Sequence, residues 1–313
     1  MKRIFLSIFF LFFSLFSIFS HSMMLYDHEM RFSKFGFYPK KLISLMRCYP
    51  DVEYKAHFDL SVWDWEIYLT ANIFENRPDQ KYNAKKHATL YWADGRMLPR
   101  SELSNKSKYW SLQYKYNDST PDPKNFTRED IERIKEFGSS ENRKNQAGSP
   151  MFFFDFLYSA RSRIIIEDHV VKTSFLGKKT KVHERIVPAL KNVEKTILKA
   201  AATDSELKAI VESFGSADAY HWREIRDTSR KSFHSYGIAL DILPKKLKGK
   251  AIYWSWEKDR RGEKWMLTPL EERWTPGKKI IKIFENNGFI WGGNWIIFDC
   301  MHFEYHPELV NKF

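Results

Sequence analysis

The chain has 313 residues, enough for one large domain or two modest ones. Because 29% of the residues are charged and 43% are hydrophobic, the composition excludes a polytopic membrane protein. The net charge of +12 favours anionic partners, although a solvated basic surface has the same composition.

The N-terminus has the pattern of an export signal. Lys2 and Arg3 precede an almost unbroken apolar run over 4–19, and a short Ser-His-Ser motif ends at Ser22. A basic start, an apolar run and small residues at the end are typical of a secretory signal peptide. We therefore expect residues 1–22 to be a signal peptide and the protein to be exported, periplasmic or secreted. An uncleaved N-terminal anchor is the alternative, and membrane contact is expected only in that case.

Export affects the expected partners and the expected state of the two cysteines. An exported protein rarely meets nucleic acid, so we expect no nucleic-acid partner, and anionic polymers of the cell envelope are better candidates. In an oxidising compartment Cys48 and Cys300 can form a disulfide. The alternative, that each is a small buried apolar residue, is equally consistent with the sequence.

The N-terminal half offers mixed signals. Residues 58–74 alternate apolar and polar side chains and predict a strand that passes into a helix. A stretch rich in Asn, Ser, Asp and Pro over 105–130 is typical of a loop, and at its end Thr127 is a good N-cap for a helix. Segment 138–150 has a linker-like composition, and the Ile and Val runs within 151–177 predict strands.

Helical patterns dominate after this region. Residues 184–201 place apolar side chains three or four apart, and Pro188 fits the first turn of that helix. A second, shorter helix is predicted to begin after Asp204 as its cap. We predict a boundary near residue 180, with an N-terminal region of unknown role and uncertain architecture over 23–180 and the functional domain over 181–313.

The stretch "SFHSYGIALDI" at 232–242 carries the first candidate metal ligands. In a strand that follows Gly237, the isoleucines and the leucine face a core, and Asp241 lies on the opposite face beside a small alanine. His234 precedes the strand on a loop, close enough to reach the same pocket. The pattern predicts that His234 and Asp241 share one site.

The C-terminal stretch "GFIWGGNWIIFDCMHFEYHPEL" carries the complementary half. "WIIF" and "MHFEY" are strand-like, and "WGGN" is a glycine-rich turn whose tryptophan is a candidate cleft wall. His302 and Glu304 share one face of the second strand, and Asp299 precedes His302 by three positions. Two histidines and an aspartate are the ligand inventory of a catalytic zinc site. His306 lies beyond the strand, and we expect it at the surface.

Together these stretches resemble a known family. The motifs S-x-H-x-x-G-x-A-x-D, W-G-G and D-x-x-H-F-E, all present in order, resemble the zinc D-alanyl-D-alanine carboxypeptidase and L-alanyl-D-glutamate endopeptidase family of cell-wall metallopeptidases. The resemblance covers roughly residues 180–313. It implies an α+β fold in which a small antiparallel sheet flanked by helices carries a His/Asp/His zinc site.

The resemblance also implies roles for individual residues. The implied Zn²⁺ ligands are His234, Asp241 and His302. Asp299 corresponds to the general base that acts on the catalytic water, and Arg223 is our choice for the group that binds substrate or stabilises the oxyanion. Arg226 and Arg230 compete with Arg223, because the alignment of this segment is uncertain. Glu304 either orients His302 or replaces Asp299 as the base, and we favour the first role.

The function implied by the resemblance is zinc-dependent hydrolysis of peptide bonds in peptidoglycan stem peptides. Both an endopeptidase and a D,D-carboxypeptidase are consistent with the motifs, and peptidoglycan peptides are the expected partners. The alternative is a non-catalytic, zinc-containing cell-wall-binding protein on the same fold. The intact Asp299 favours the enzyme.

Overall fold

The computed structural model describes residues 38–72, 85–117, 119–225, 228 and 230–310. The predicted signal peptide lies outside this part of the chain. Among the helices that are described, none combines the length and the apolar character needed to cross a membrane.

The chain divides into two compact units. Within its described residues the first unit covers 38–72 and 85–106. It contains one helix and a three-stranded antiparallel sheet in the order β1–β2–β3. Its elements are α1 (Lys40–Cys48), β1 (Glu53–Asp59), β2 (Asp64–Asn72) and β3 (Lys85–Tyr91).

The predicted strand-to-helix passage in the first unit is wrong. The described part of the stretch, residues 58–72, forms the end of β1, a turn and then β2, so a hairpin stands in place of the helix. In β2 the side chains of Ile67, Leu69 and Ala71 are buried at a spacing of two, which is the period of a strand with one face on a core.

The second unit covers 107–310 and holds both helices and strands. Its helices are α2 (Arg128–Phe137), α3 (Ser140–Asn145), α4 (Phe152–Leu157), α5 (Arg163–Glu167), α6 (Val187–Ala201), α7 (Ser205–Ser213), α8 (Trp254–Arg261), α9 (Lys278–Glu285) and α10 (Pro307–Val310). Its strands are β4 (Val170–Phe175), β5 (Lys178–His183), β6 (Phe214–Asp218), β7 (Ala239–Pro244), β8 (Phe289–Trp291) and β9 (His302–Tyr305).

The predicted helix starts are confirmed by their caps. Thr127 and Asp130 form a reciprocal capping box at the start of α2. Pro188 lies in the first turn of α6, where its missing N–H leaves no intrahelical bond unmade. The side chain of Asp204 accepts a hydrogen bond from the backbone of Leu207 and so caps α7.

Three predictions about irregular or extended segments are wrong. The linker-like segment 138–150 contains α3, because Ser139 caps it and supplies an N-terminal hydrogen bond. The isoleucine run at 164–166 lies on α5, where Ser162 is the cap and only Ile166 is buried. Finally, "WIIF" at 295–298 is not a strand, and β8 ends at Trp291 before it.

A four-stranded sheet in the order β6–β7–β9–β8 forms the centre of the second unit, and all its pairs are antiparallel. Ile238, Leu240 and Phe303 are completely buried around it. Phe284 of α9 stacks on Phe303 with ring centroids 3.9 Å apart, and burying each such ring stabilises the fold by about 1.5–3 kcal/mol. The predicted α+β class with a small antiparallel sheet is confirmed, and the inner strands β7 and β9 carry candidate ligands.

The division into compact units falls near residue 106. The boundary that we predict near 180 concerns function and does not coincide with this division, so it stays a prediction. Residue 180 itself lies within β5, which pairs with β4 as an antiparallel hairpin.

Candidate metal centre

Strand pairing brings Asp241 and His302 together. They are direct partners in the antiparallel register of β7 and β9, and Oδ1 of Asp241 lies 2.7 Å from Nδ1 of His302. The flanking β7 residues Leu240 and Ile242 are buried on the other face. The predicted alternation therefore positions the carboxylate away from the apolar core and toward the ring.

His234 reaches the same point from a 3₁₀ turn over Phe233–Tyr236. Ser232 caps this turn through a hydrogen bond from the backbone of His234, and Gly237 ends it with a φ of +65°. Nε2 of His234 lies 3.2 Å from Nδ1 of His302 and 3.2 Å from Oδ2 of Asp241. The three predicted ligands thus meet in space although 61 residues separate Asp241 from His302.

The donor atoms lie close enough together to hold one metal ion. His234, Asp241 and His302 each offer one ligand atom, and these atoms lie within 4.8 Å of one another. A tetrahedral ion with bonds of roughly 2.0 Å separates its ligand atoms by about 3.3 Å. The two nitrogen atoms at 3.2 Å match that separation, so the group fits a tetrahedral ion with nitrogen and oxygen ligands.

Hydrogen bonds on the far sides of both rings orient the lone pairs inward. Nδ1 of His234 lies 2.5 Å from the carbonyl oxygen of Ala219, and Nε2 of His302 lies 2.8 Å from Oε1 of Glu304. Since these oxygens only accept, each outer nitrogen carries the proton. Nε2 of His234 and Nδ1 of His302 are then the nitrogens that can bind a metal. Glu304 thus makes the contact with His302 that its favoured role, orienting the ring, requires.

The electrostatics of this group are those of closely spaced opposite charges. Burial alone would raise the pKa of Asp241, but the charge of His302 and the hydrogen bond from His234 hold it well below its usual range. Burial alone would lower the pKa of His302, but the Asp241 carboxylate and Glu304 raise it well above its usual range. Likewise, the hydrogen bond from His302 and the close approach of His306 outweigh burial and lower the pKa of Glu304 to about 2. A positive charge is therefore strongly favoured between the carboxylates of Asp241 and Glu304.

Asp299 lies at the edge of the same site with an unsatisfied oxygen. Its Oδ1 is buried and has no hydrogen-bond partner among the described residues. Burial raises the pKa of Asp299 to about 7, with Asp241 and Glu304 adding to the rise and His302 and Arg223 opposing it. A carboxyl group that titrates near neutral pH can exchange a proton during a reaction.

A glycine-rich turn fixes the backbone around Asp299. The N–H of Asp299 donates to the carbonyl oxygen of Gly292 at 3.0 Å, and its own carbonyl accepts from the N–H of His302. A Cβ on Gly292 would lie 2.7 Å from the Asp299 carbonyl oxygen, so the close approach requires glycine.

The three candidate arginines have different surroundings. The exposed side chain of Arg223 lies at a pocket beside Asp299, and its backbone is fixed by hydrogen bonds to and from Oγ of Ser235. The guanidinium of Arg230 instead donates to the carbonyl oxygens of Arg143 and Ala147, both at 3.0 Å. Arg226 lies outside the described residues. Arg230 is therefore engaged in holding backbone, which leaves Arg223 better suited to bind a ligand.

The pocket beside the metal group has a volume of about 580 Å³. Asp299, His302 and Glu304 lie at one part of its wall. Aromatic side chains contribute much of the remainder, namely Trp110, Tyr114, Tyr116, Phe137, Phe233, Tyr253, Trp254 and Trp295. Such a combination of flat apolar surfaces and a few polar groups is typical of a binding site for a small or extended ligand.

The sequence predicts that Trp291 forms a wall of the cleft, but Trp291 does not line this pocket. It is buried, its Nε1 donates to the carbonyl oxygen of Cys300 at 2.8 Å, and Gly293 lies against its ring. Trp295 takes its place in the wall, with its ring centroid 5.5 Å from that of His302. Cys300 is a buried thiol, in agreement with the expectation of a small apolar residue.

Sequence reasoning missed Tyr114 and Tyr116, which lie in the stretch predicted to be a loop. The hydroxyl of Tyr116 accepts from the backbone N–H of Trp291 at 3.0 Å and from the side chain of Asn294 at 2.9 Å. This tyrosine thereby anchors residues 110–117 to the turn that carries the site. The only signal in the sequence was the high density of aromatic residues. Their spacing follows no regular pattern from which their contacts could be predicted.

The prediction that His306 lies at the surface is wrong. Its side chain is buried, with 3% of the residue exposed, and it packs edge-on against Phe233 and Phe154. The position before Pro307 suggested an exposed turn. The ring is buried because the carboxylates of Glu304 and Glu308, which are also buried, lie beside its two nitrogens.

Comparisons with known proteins agree with this site. Residues 226–305 match a family model described as D-alanyl-D-alanine carboxypeptidase. This confirms the family resemblance over the segment that contains all three candidate ligands and Asp299. Residues 81–113 match a model described as a domain of unknown function. No curated protein and no solved structure matches the chain.

Proposed function

We propose that the protein is an exported zinc peptidase that hydrolyses peptide bonds in peptidoglycan stem peptides. The observation that carries the proposal is the convergence of His234, Asp241 and His302 beside the buried, unpaired carboxylate oxygen of Asp299. The family match over 226–305 supports a metallopeptidase that acts on the cell wall.

The side chains have distinct tasks in this proposal. His234, Asp241 and His302 hold the ion, and zinc, when bound, lowers the pKa of a coordinated water and polarises a carbonyl group. Asp299 accepts a proton from the attacking water and passes it to the leaving amine. This exchange is favoured because burial already keeps the pKa of Asp299 near 7. Arg223 binds a substrate carboxylate or stabilises the developing oxyanion.

The aromatic pocket binds the peptide on either side of the scissile bond. Trp295 lies beside His302, and Tyr253 lies on the same wall. Their flat faces suit the backbone and the small side chains of a stem peptide. The same pocket can accept a terminal D-alanine or an internal bond, so the products distinguish a D,D-carboxypeptidase from an endopeptidase.

The test combines metal analysis with digestion of purified muropeptides followed by mass spectrometry. The unmutated protein should hold about one zinc per chain and release defined peptide fragments. Asp299→Ala should lower the rate by on the order of 100-fold or more while zinc content stays near one. The exposed Asp168→Ala serves as a matched control and should leave the rate unchanged.

Two results would overturn the proposal. A protein that holds zinc but cleaves no muropeptide is not a peptidoglycan peptidase. A protein that holds no metal when purified without chelator lacks the proposed site altogether.

A further inference from the structure

A row of alternating carboxylates and imidazoles extends from the metal group into the interior. Its members are Asp241, His302, Glu304, His306 and Glu308. Successive side chains are separated by 2.7, 2.8, 3.3 and 2.7 Å. The last four members are buried. The row therefore links the candidate metal ligand His302 to groups that the mechanism does not use.

His306 is held between two carboxylates. Its Nδ1 lies 2.7 Å from Oε1 of Glu308, and its Nε2 lies 3.3 Å from Oε2 of Glu304, an ion-pair distance without the alignment of a hydrogen bond. Phe233 and Phe154 pack edge-on against the ring, with centroids 4.5 and 5.4 Å away, so its orientation is fixed.

The surroundings favour a doubly protonated His306 ring. Ionised carboxylates accept hydrogen bonds and donate none, so a proton on each ring nitrogen matches both neighbours. Burial alone would lower the pKa of His306, but the charges of Glu308 and Glu304 raise it to about 9. The imidazolium offsets the repulsion between two carboxylates that share a buried space.

The position of Glu304 determines which nitrogen of His302 faces the metal group. Oε1 of Glu304 accepts from Nε2 of His302, and Oε2 faces His306. One carboxylate is thus shared between a candidate ligand and a buried cation. If that cation were absent, Glu304 would lose the partner that holds its second oxygen.

We propose that His306 is a positioning residue for metal binding. Held by Glu308, it fixes the Glu304 carboxylate against Nε2 of His302 and so presents Nδ1 of His302 to the ion. The inference rests on the proposed zinc site. His306 and Glu308 lie beyond the 226–305 segment that matches the family model, so this support is argued from the contacts in this chain.

The test measures zinc affinity in the full chain after the metal has been stripped. Zinc is titrated against a chromophoric chelator, and the visible spectrum is recorded after substitution with Co²⁺. Removing a residue that supports a metal ligand typically weakens binding by about 10- to 100-fold. We expect a loss in this range for His306→Gln, together with an altered Co²⁺ spectrum, because His302 is no longer held in one orientation.

His169 provides a matched control. It is also buried, and its Nδ1 lies 2.8 Å from a carboxylate oxygen of Glu184, but it has no place in the row. His169→Gln should keep zinc affinity within twofold and leave the Co²⁺ spectrum unchanged. Thermal unfolding of both metal-free variants measures how much stability each one loses, so that a general loss of stability can be separated from a loss of zinc affinity.

Each outcome decides the inference. Unchanged zinc affinity in His306→Gln, or an equal loss in His306→Gln and His169→Gln, would overturn it. If His306→Gln does not fold, Glu308→Gln replaces it, since the amide keeps the size and an acceptor but removes the charge. About tenfold weaker binding is then expected, and no change would overturn the inference. If the unmutated chain binds no zinc, the proposed function fails first.

Discussion

Asp241 and His302 face each other across β7 and β9, with Oδ1 of the carboxylate 2.7 Å from Nδ1 of the ring. Side chains alternate between the two faces of a strand, so a slip of one residue would move one partner to the opposite face. The apolar neighbours Leu240 and Phe303, both completely buried, oppose such a slip. The metal group therefore depends on the same register that buries the core.

Zinc should stabilise the folded chain through this pair. An ion that binds only the folded state at 100 times its Kd adds about 2.7 kcal/mol to the free energy of unfolding. Asp241→Asn should abolish most of this gain, because the amide replaces the negative ligand. The neighbouring Asp218→Asn, an exposed strand position opposite Asp241, should retain it. Calorimetry with and without zinc checks the prediction, which fails if zinc leaves the unmutated chain unaffected.

Asp299 should make the metal-free protein less stable as the pH rises. Its pKa is about 7 in the folded chain against a usual value of 3.8. Its protonated form therefore contributes stability that is complete below about pH 4 and is lost as the pH rises through about 7.

Asp299→Asn should accordingly gain stability over the unmutated metal-free chain as the pH rises. The gain above pH 7 is on the order of a few kcal/mol, since each pKa unit is worth about 1.4 kcal/mol. Urea unfolding with a chelator at pH 5 and pH 8 measures the difference. An equal difference at both pH values would contradict a buried charge at Asp299.

The site was more predictable from the sequence than the fold around it. His234, Asp241 and His302 belong to short motifs in which strand alternation and family resemblance indicate the same face. Residue spacing could not reveal the burial of His306, because the aromatic rings that cover it, Phe154 and Phe233, come from distant parts of the chain. For the same reason the density of aromatic residues around Tyr114 did not predict a pocket wall.

The errors in secondary structure have local physical causes. The isoleucines at 164–166 have a strong strand propensity. A short helix forms instead, because Ser162 caps it and because, of the three isoleucines, only Ile166 is buried. Residues 58–74 looked helical near their end, but a hairpin gives alternate side chains of β2 a buried face. In both cases capping or pairing outweighed intrinsic propensity.

Substitution of Arg223 should impair catalysis, whereas substitution of Arg230 should impair stability. Arg230→Ala removes donors to two backbone carbonyls and should lower the free energy of unfolding by about 1–3 kcal/mol. Arg223→Ala removes an exposed side chain, so stability should change by less than about 0.5 kcal/mol. Its kcat/KM should fall on the order of 100-fold if the guanidinium stabilises the reacting carbonyl. Steady-state kinetics and urea unfolding of both variants test this, and the reverse pattern would exchange the two roles.

Gly237 should be essential for stability because of its close approach to His183, in addition to its positive φ angle. Its φ of +65° resembles the +75° of Gly177, but a Cβ on Gly237 would lie 2.7 Å from the backbone nitrogen of His183, whereas a Cβ on Gly177 would meet nothing within 4 Å. Both Gly→Ala changes incur strain of about 1 kcal/mol or more from the left-handed conformation.

Gly237→Ala should be the more destabilising of the two changes, because the new Cβ pushes the turn that carries His234 away from β5. We expect it to weaken zinc binding as well, whereas Gly177→Ala should leave the affinity unchanged. Parallel measurements of unfolding free energy and zinc affinity decide the matter. Equal losses in the two variants would mean that backbone strain alone, and not the close approach to His183, requires glycine at this turn.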